Sequence, residues 1–225
     1  MPSTLLLIRH ATTAATGARL GGRTEAPLDE RGRGQAEATA GRLADLPIRA
    51  VYASPLARTV QTAELVAAPH RLQILPCEGV IEVEYGSWTD RPLKPLFRNK
   101  LWPTIQSRPS LVRFPGGETI RAAQLRAVDA LEEIASRHRN RLVAVVSHAD
   151  IIKAVVAFYA GMPLDAFQRL HVGPASVTML SVGDGSRPVL LRFNDEGPLT
   201  REAFVPPRRT PVGKKAARSR SAARG

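Results

Sequence analysis

The sequence predicts an α/β fold, a three-layer α/β/α sandwich in which helices cover both faces of a mostly parallel sheet. Short apolar runs typical of buried strands alternate with segments in which apolar residues recur at helical spacing. The chain has 225 residues, of which 44% are hydrophobic, and this is enough for one domain with a large core. No apolar stretch approaches the roughly 18 residues that would span a bilayer, so we expect no membrane segment.

The first half of the chain carries a regular succession of strand and helix patterns. The predicted elements are, in order, the strand Thr4–Ile8, a helix within Leu28–Leu46, the strand Ala50–Ala53, the helix Leu56–Ala67 and the strand Gln73–Leu75. Ala36, Ala40 and Leu43 recur at helical spacing, which gives the first helix an apolar face. Pro55 suits the first turn of the second helix, because a first-turn N–H has no partner within the helix. This order predicts parallel strands joined by helices.

The second half of the chain resumes the same alternation. The predicted elements are the helix Thr119–Arg137, the strand Leu142–Ser147, the helix Ala149–Ala160 and the strands Ser176–Val182 and Val189–Phe193. An apolar stripe that includes Ile120, Ala127 and Leu131 runs along the first of these helices. The run LVAVVS at 142–147 has the composition of a fully buried central strand.

Between the two halves, residues 90–117 contain five prolines and show weak periodicity. Such a connection is unusual inside a compact domain and is typical of a binding excursion. From Arg91 to Gly117 the segment has six basic residues and no acid, interleaved with Phe97, Trp102 and Phe114. We expect a lid-like insertion here.

The charge is unevenly distributed. The chain has 32 Lys+Arg and 20 Asp+Glu, a formal charge of +12, and seven of the basic residues lie in 206–225, which has no acid. We expect 1–205 to form the folded domain and 206–225 a disordered tail, either a solubilising extension or an arm that contacts nucleic acid or another polyanion. The start of the chain lacks the pattern of a secretory signal, and Cys77 is the single cysteine. These features predict a cytoplasmic location and no internal disulfide.

Polar residues follow two of the strongest strands directly. Arg9 and His10 come after the run LLLI, and Ser147 and His148 end the run LVAVV. Open α/β sheets bind ligands at the carboxyl ends of their strands. If both strands are central and parallel, the two histidines converge on one crevice.

The chain resembles the histidine phosphatase superfamily in four segments that occur in the expected order. LIRHATT at 7–13 is similar to the superfamily's Arg-His-Gly-x-Thr signature, and SPLARTVQT at 54–62 to its second arginine motif. EVEYGSW at 82–88 resembles the Glu-x-x-x-Gly-x-Trp segment, and VSHAD at 146–150 the Ser-His-Gly motif. FPGGET at 114–119, with 167–177 and 194–198, is similar to an actinobacterial branch of phosphomutases.

The resemblance implies a role for each matching residue. His10 would be the nucleophile, which requires one unprotonated ring nitrogen. Arg9 and Arg58 would clamp the phosphate, since the guanidinium forms two parallel bonds to such an anion. His148, cationic beside phosphate, would complete the clamp. Thr13 would add a phosphate contact.

Two positions are left open by the residues themselves. Gln61 either contacts phosphate or caps and packs against its surroundings. Glu82 is placed by the resemblance as the carboxyl that protonates the leaving oxygen and then activates water. Glu84 inherits that role if the register is shifted by two residues. Ala11 and Ala149 stand where the superfamily has glycine. Each would cost about 1 kcal/mol or more if its site required φ > 0 or a very close backbone approach.

The resemblance implies a metal-independent phosphatase that acts on a small phosphorylated metabolite through a phosphohistidine. A phosphomutase with the same intermediate is the alternative, and a non-catalytic phospholigand or nucleic-acid-associated protein is the alternative of another class. No metal or other cofactor is expected, because the sequence lacks zinc-ligand spacing, a phosphate-binding loop and a dinucleotide fingerprint. The basic excursion is either a solvated face with an aromatic anchor or a site for a second anionic group on the substrate.

Overall fold

The computed structural model describes residues 2–183 and 187–197. Its strands are β1 (Ser3–Arg9), β2 (Arg19–Leu20), β3 (Ile48–Ala53), β4 (Ile74–Pro76), β5 (Arg91–Pro92), β6 (Leu142–Ser147), β7 (Val177–Val182) and β8 (Val189–Asp195). Its helices are α1 (Glu30–Leu43), α2 (Ala57–Ala67), α3 (Leu93–Leu96), α4 (Trp102–Ser107), α5 (Ile120–Arg137) and α6 (Ala149–Tyr159). No helix in the described ranges is long and apolar enough to cross a membrane. The predicted tail at 206–225 lies outside these ranges.

Six strands form the central sheet in the order β4-β3-β6-β1-β7-β8. The first four run parallel to one another, and β7 is antiparallel to both of its neighbours. The predicted α/β fold with a mostly parallel sheet is therefore confirmed. Because β1 and β6 are paired central strands, the residues that follow them meet at one edge of the sheet.

Each face of the sheet buries alternate side chains of β1. Leu5 and Leu7 pack into one apolar cluster with residues of α5 and α6. Leu6 and Ile8 pack into a second cluster with residues of α1 and α2. This alternation makes three layers, and it explains why the central strands appear as continuous apolar runs in the sequence.

Side-chain caps fix where two of the long helices begin. The Asp29 carboxylate accepts from the backbone N–H of Gly32 at the start of α1, and the Thr119 hydroxyl accepts from Ala122 at the start of α5. The prediction for Pro55 is wrong in detail. Leu56 is the N-cap of α2, so Pro55 precedes the cap and does not lie in the first turn.

The Pro-rich excursion is attached to the rest of the fold at both its start and its middle. β5 pairs with β2, which lies in the loop after β1, and the Leu93 N–H donates to the carbonyl of Ala18. Further along, Leu96, Ile105 and Phe114 are buried in the main core. The excursion is thus a cover whose two short helices pack on the domain.

A close approach between α1 and the loop after His10 makes Gly32 a sensitive position. A β-carbon on Gly32 would lie 2.1 Å from the Thr12 carbonyl oxygen, whereas one on Gly34 meets nothing within 4 Å. We expect Gly32→Ala to lower the free energy of unfolding by about 1–3 kcal/mol. Gly34→Ala, on the same helix, should raise it by about 0.5–1 kcal/mol. Urea unfolding of both variants checks this, and equal effects at the two positions would contradict it.

Candidate active site

A cavity of about 210 Å³ opens at the carboxyl ends of β1 and β6. Arg9 is paired with Ser147 across these strands, so the next residues, His10 and His148, lie at the same level. Their ring centroids are 5.2 Å apart. The structure therefore brings the two histidines together, as the predicted strand arrangement requires.

His10 lines the cavity, and its ring orientation is fixed by the backbone. Nδ1 lies 2.7 Å from the carbonyl oxygen of Ala11, which can only accept, so Nδ1 carries the proton. Nε2 is then the basic nitrogen. Burial, followed by the charges of Arg9 and Arg58, holds the pKa of His10 well below its usual range. The ring is therefore neutral at pH 7 and has the protonation state that a nucleophile needs.

His148 is fully buried, and both of its ring nitrogens have partners. Nδ1 accepts from an Arg58 Nη2–H at 3.2 Å, and Nε2 lies 2.8 Å from the hydroxyl of Ser54. Burial, followed by the nearby cationic groups, holds the pKa of His148 well below its usual range. The ring of His148 is therefore neutral in these surroundings and lies outside the cavity lining, and its cationic form beside phosphate stays a prediction.

Two arginines supply fixed positive charge. Arg9 donates to the Val172 carbonyl at 2.7 Å, and its Nε is buried with no hydrogen-bond partner among the described residues. Arg58 is 4% exposed and donates to the carbonyls of Gly22 and Thr24 in the loop after β2. Both side chains line the cavity. Their anchoring contacts hold the charges in place before any ligand arrives.

The structure places Thr13 and Gln61 in different surroundings. Thr13 lines the cavity, with its hydroxyl 3.2 Å from that of Thr16. Gln61 does not line it. The Gln61 Oε1 accepts from the Leu28 N–H at 2.8 Å, so this side chain fixes the loop before α1. Phosphate binding by Gln61 is therefore not supported, and its packing role holds instead.

Glu82 and Glu84 occupy different environments. Glu82 lines the cavity and is 8% exposed, whereas the carboxylate of Glu84 is paired with Arg23 at 3.4 Å and lies outside the cavity lining. Burial, and then the charge of Asp150, raises the pKa of Glu82 to about 7. Near neutral pH a large share of Glu82 is thus protonated, as a proton donor must be.

Asp150 and Tyr85 also line the cavity, although neither is singled out by the sequence. The Tyr85 hydroxyl donates to Asp150 at 2.8 Å, and the Lys153 ammonium lies 2.7 Å from the other carboxylate oxygen. Burial would raise the pKa of Asp150, but the adjacent Lys153 charge and these hydrogen bonds outweigh burial and lower it. Asp150 therefore stays ionised beside Glu82. The signal available in the sequence is the spacing of Asp150 and Lys153, three residues apart on one helix.

The backbone of Glu82 is held by a partly buried ion-pair network. Arg23 and Arg126 each donate to the Glu82 carbonyl at 3.1 Å, and both arginines bind the carboxylate of Glu118. Glu118 belongs to the FPGGET turn and also accepts from the Glu84 N–H. The turn and the acid segment touch so closely that a β-carbon on Gly86, at φ +54°, would lie 2.2 Å from the Pro115 carbonyl. This contact fixes which face of the segment meets the cavity.

The two alanines that replace glycine fit without strain. Neither Ala11 nor Ala149 has a positive φ. Ala11 is fully buried against Leu28, Ala36 and Ala175, and Ala149 is the first residue of α6. The cost that a positive φ would impose at these two positions therefore does not arise.

The N-terminus of α6 completes the cavity wall through Ala149 and Asp150. Its unpaired backbone N–H groups and the helix dipole favour an anion at this end. The basic residues of the excursion lie elsewhere, because all six are exposed and none lines the cavity. These are Arg91, Lys94, Arg98, Lys100, Arg108 and Arg113. Within 2–183 and 187–197, no three His, Cys, Asp or Glu side chains are grouped as a metal site.

A sequence model of the histidine phosphatase superfamily, branch 1, matches residues 5–196. The chain belongs to the histidine phosphatase superfamily. It is 30% identical to phosphoserine phosphatase 1 of Hydrogenobacter thermophilus over 84% of this chain and 91% of that protein. It is 25% identical to phosphoglycerate mutase-like protein 4 of Arabidopsis thaliana, over 89% of each chain.

Among solved structures, YhfR of Bacillus stearothermophilus superimposes with a TM-score of 0.81 at 28% identity. The match covers 86% of this chain and 97% of YhfR. The family, the fold class and the enzyme class of phosphatase or phosphomutase predicted from the sequence are confirmed.

Proposed function

We propose that this histidine phosphatase superfamily member hydrolyses small phosphomonoesters through a phosphohistidine on His10. The observation that carries the proposal is the state of His10 in the cavity. Its Nδ1–H is bound by the Ala11 carbonyl, so the basic Nε2 is available beside two arginines and a protonated carboxyl. This combination supplies a nucleophile, a charge clamp and a proton donor in one site.

In the first step, Nε2 of His10 attacks phosphorus and the bond to the leaving oxygen breaks. Arg9 and Arg58 stabilise the equatorial oxygens. The buried Nε of Arg9 that lacks a partner is a donor available to one of them. His148 supports this clamp indirectly: it is fully buried, and its Nδ1 accepts from Arg58, which orients the guanidinium toward the cavity.

Glu82 carries the proton in both steps. Protonated Glu82 gives its proton to the leaving alkoxide, and the resulting carboxylate then takes a proton from the water that attacks phosphohistidine. Free phosphate and neutral His10 result, and the proton returns to Glu82. Burial, and then the charge of the ionised Asp150, raises the pKa of Glu82 and keeps a large share of it protonated near neutral pH.

Hydrolysis is preferred to mutase chemistry because the cover over the cavity is small. A mutase must exclude water until the phosphoryl group returns to a substrate. Here α3 and α4 have only four and six residues. We place the enzyme in the cytoplasm, with 1–205 as the catalytic domain and the basic segment 206–225 as an appendage, either a solubilising extension or an arm that contacts nucleic acid or another polyanion.

A panel of ³²P-labelled phosphomonoesters, assayed with a chelator present, tests the proposal. We expect release of phosphate and a trapped protein label that is acid-labile and alkali-stable, with equal turnover in a chain that ends at Val205. Transfer of phosphate to a second substrate without release would indicate the mutase. A protein that neither turns over nor becomes labelled with any ester would contradict both enzyme functions and favour a phospholigand-binding protein.

A further inference from the structure

A second cavity of about 340 Å³ lies beneath the two short helices of the excursion. Its volume is in the range of cavities that hold small ligands. Its wall is predominantly apolar and aromatic and includes Leu20, Leu93, Phe97, Trp102, Ile105 and Phe114. Gln106 and Gln168 add polar side chains to it. The rings of Phe97 and Trp102 are in contact, with centroids 4.8 Å apart, and both side chains are only partly buried.

This apolar cavity adjoins the catalytic one. Leu20, Tyr85, Leu93 and Asp150 line both of them. Asp150, which lies on this border, is close enough to Glu82 for its charge to raise the pKa of that acid, so the border lies near the proposed proton donor. A group attached to the leaving oxygen can therefore extend from the first cavity into the second.

The polar groups at the border are already paired. Asp150 binds the Tyr85 hydroxyl and the Lys153 ammonium, and Lys153 also donates to Gln168 at 2.9 Å. A carboxylate placed in the apolar cavity would lose hydration without gaining a cationic partner there. An ammonium would have to compete with Lys153 for the Asp150 carboxylate. The basic residues of the excursion cannot compensate, because none of the six lines either cavity.

We infer that the apolar cavity binds the leaving group, so that the preferred substrates are phosphomonoesters of alcohols with an apolar chain or ring. This inference rests on the proposed phosphatase function and names the substrate class of that same site. It differs from the anionic second group that the basic excursion suggests at the level of sequence. Apolar area buried by the leaving group would supply the binding energy.

Unbranched alkyl phosphates from ethyl to hexyl isolate this effect, because their alcohols have nearly the same acidity and the chemical step is unchanged along the series. We expect kcat/KM to rise about fourfold with each added methylene, equivalent to about 0.8 kcal/mol. Hexyl phosphate should exceed phosphoserine at least about tenfold. A flat series, or a preference for phosphoserine, would overturn the inference while leaving the phosphatase function intact.

Two variants test whether the dependence of kcat/KM on chain length arises in the apolar cavity. Trp102→Ala should lower kcat/KM for hexyl phosphate at least about tenfold more than for ethyl phosphate. Leu111→Ala is the matched control on the same excursion, since Leu111 is 68% exposed and lines neither cavity. It should leave the chain-length dependence unchanged. A hexyl-to-ethyl ratio unaffected by Trp102→Ala would overturn the site, and if that variant does not fold, the series with the unaltered protein still decides. Absence of turnover and label with every ester would mean that the phosphatase function itself has failed.

Discussion

His10→Ala is expected to abolish the trapped phosphoenzyme and to lower kcat by about 10⁴-fold or more, the scale seen when a covalent nucleophile is removed. The geometry points to the same histidine as the sequence motif. His148 has partners on both ring nitrogens, is fully buried and does not line the cavity, whereas His10 has Nε2 available there. The measurement is acid-labile ³²P incorporation together with turnover of a small phosphomonoester.

His171→Ala provides the matched control, because His171 is an exposed histidine outside the cavity. It should retain full labelling and turnover. Labelling that persists in His10→Ala would disprove the assignment and point to another nucleophile. Circular dichroism of both variants separates this outcome from misfolding.

The sequence predicts the sheet well because the chain's apolar periodicity and its burial agree. β1 and β6 are buried on both faces, so each appears as an uninterrupted apolar run that ends where polar residues begin. The excursion is different. α3 and α4 are too short to leave a helical period, and they are held by tertiary burial of Leu96 and Ile105. Local pattern carries no information about such contacts.

In the candidate site, too, the sequence locates some residues and leaves others to be assigned by the structure. Residues that end a strand or begin a helix, such as His10 and Arg58, can be located from the sequence because the fold sends strand ends to one edge. The choice between Glu82 and Glu84 depends on Glu118 and Arg126, whose contacts with the acid segment join residues 34 and 44 positions apart. The role of Gln61 likewise depends on one contact with a distant backbone N–H.

Glu82→Gln is expected to lower kcat/KM for an alkyl phosphate by about 10²- to 10⁴-fold. p-Nitrophenyl phosphate, whose leaving group departs without a proton, should lose less than about tenfold. The pH dependence of kcat/KM provides an independent test of the same assignment. The pH dependence of kcat/KM reports the ionisations of the free enzyme that affect the reaction up to phosphoryl transfer. Because the donor must be protonated, activity on the alkyl ester should fall above pH 7 as Glu82, with a pKa of about 7, ionises. The amide introduced in the variant does not ionise, so its profile should lack this descending limb.

Glu84→Gln is the control for the neighbouring acid, because its carboxylate is half-exposed, pairs with Arg23 and lies outside the cavity lining. Its activity should stay within about threefold of the unaltered protein for both esters. If Glu84→Gln shows the leaving-group-dependent loss instead, the proton donor has been assigned two residues too early. An equal loss for both esters in Glu82→Gln, with the alkaline limb retained, would mean that Glu82 shapes the cavity and that the proton comes from elsewhere. Because a structural defect cannot remove a single ionisation from the profile, the leaving-group dependence and the pH limb must change together if Glu82 is the donor.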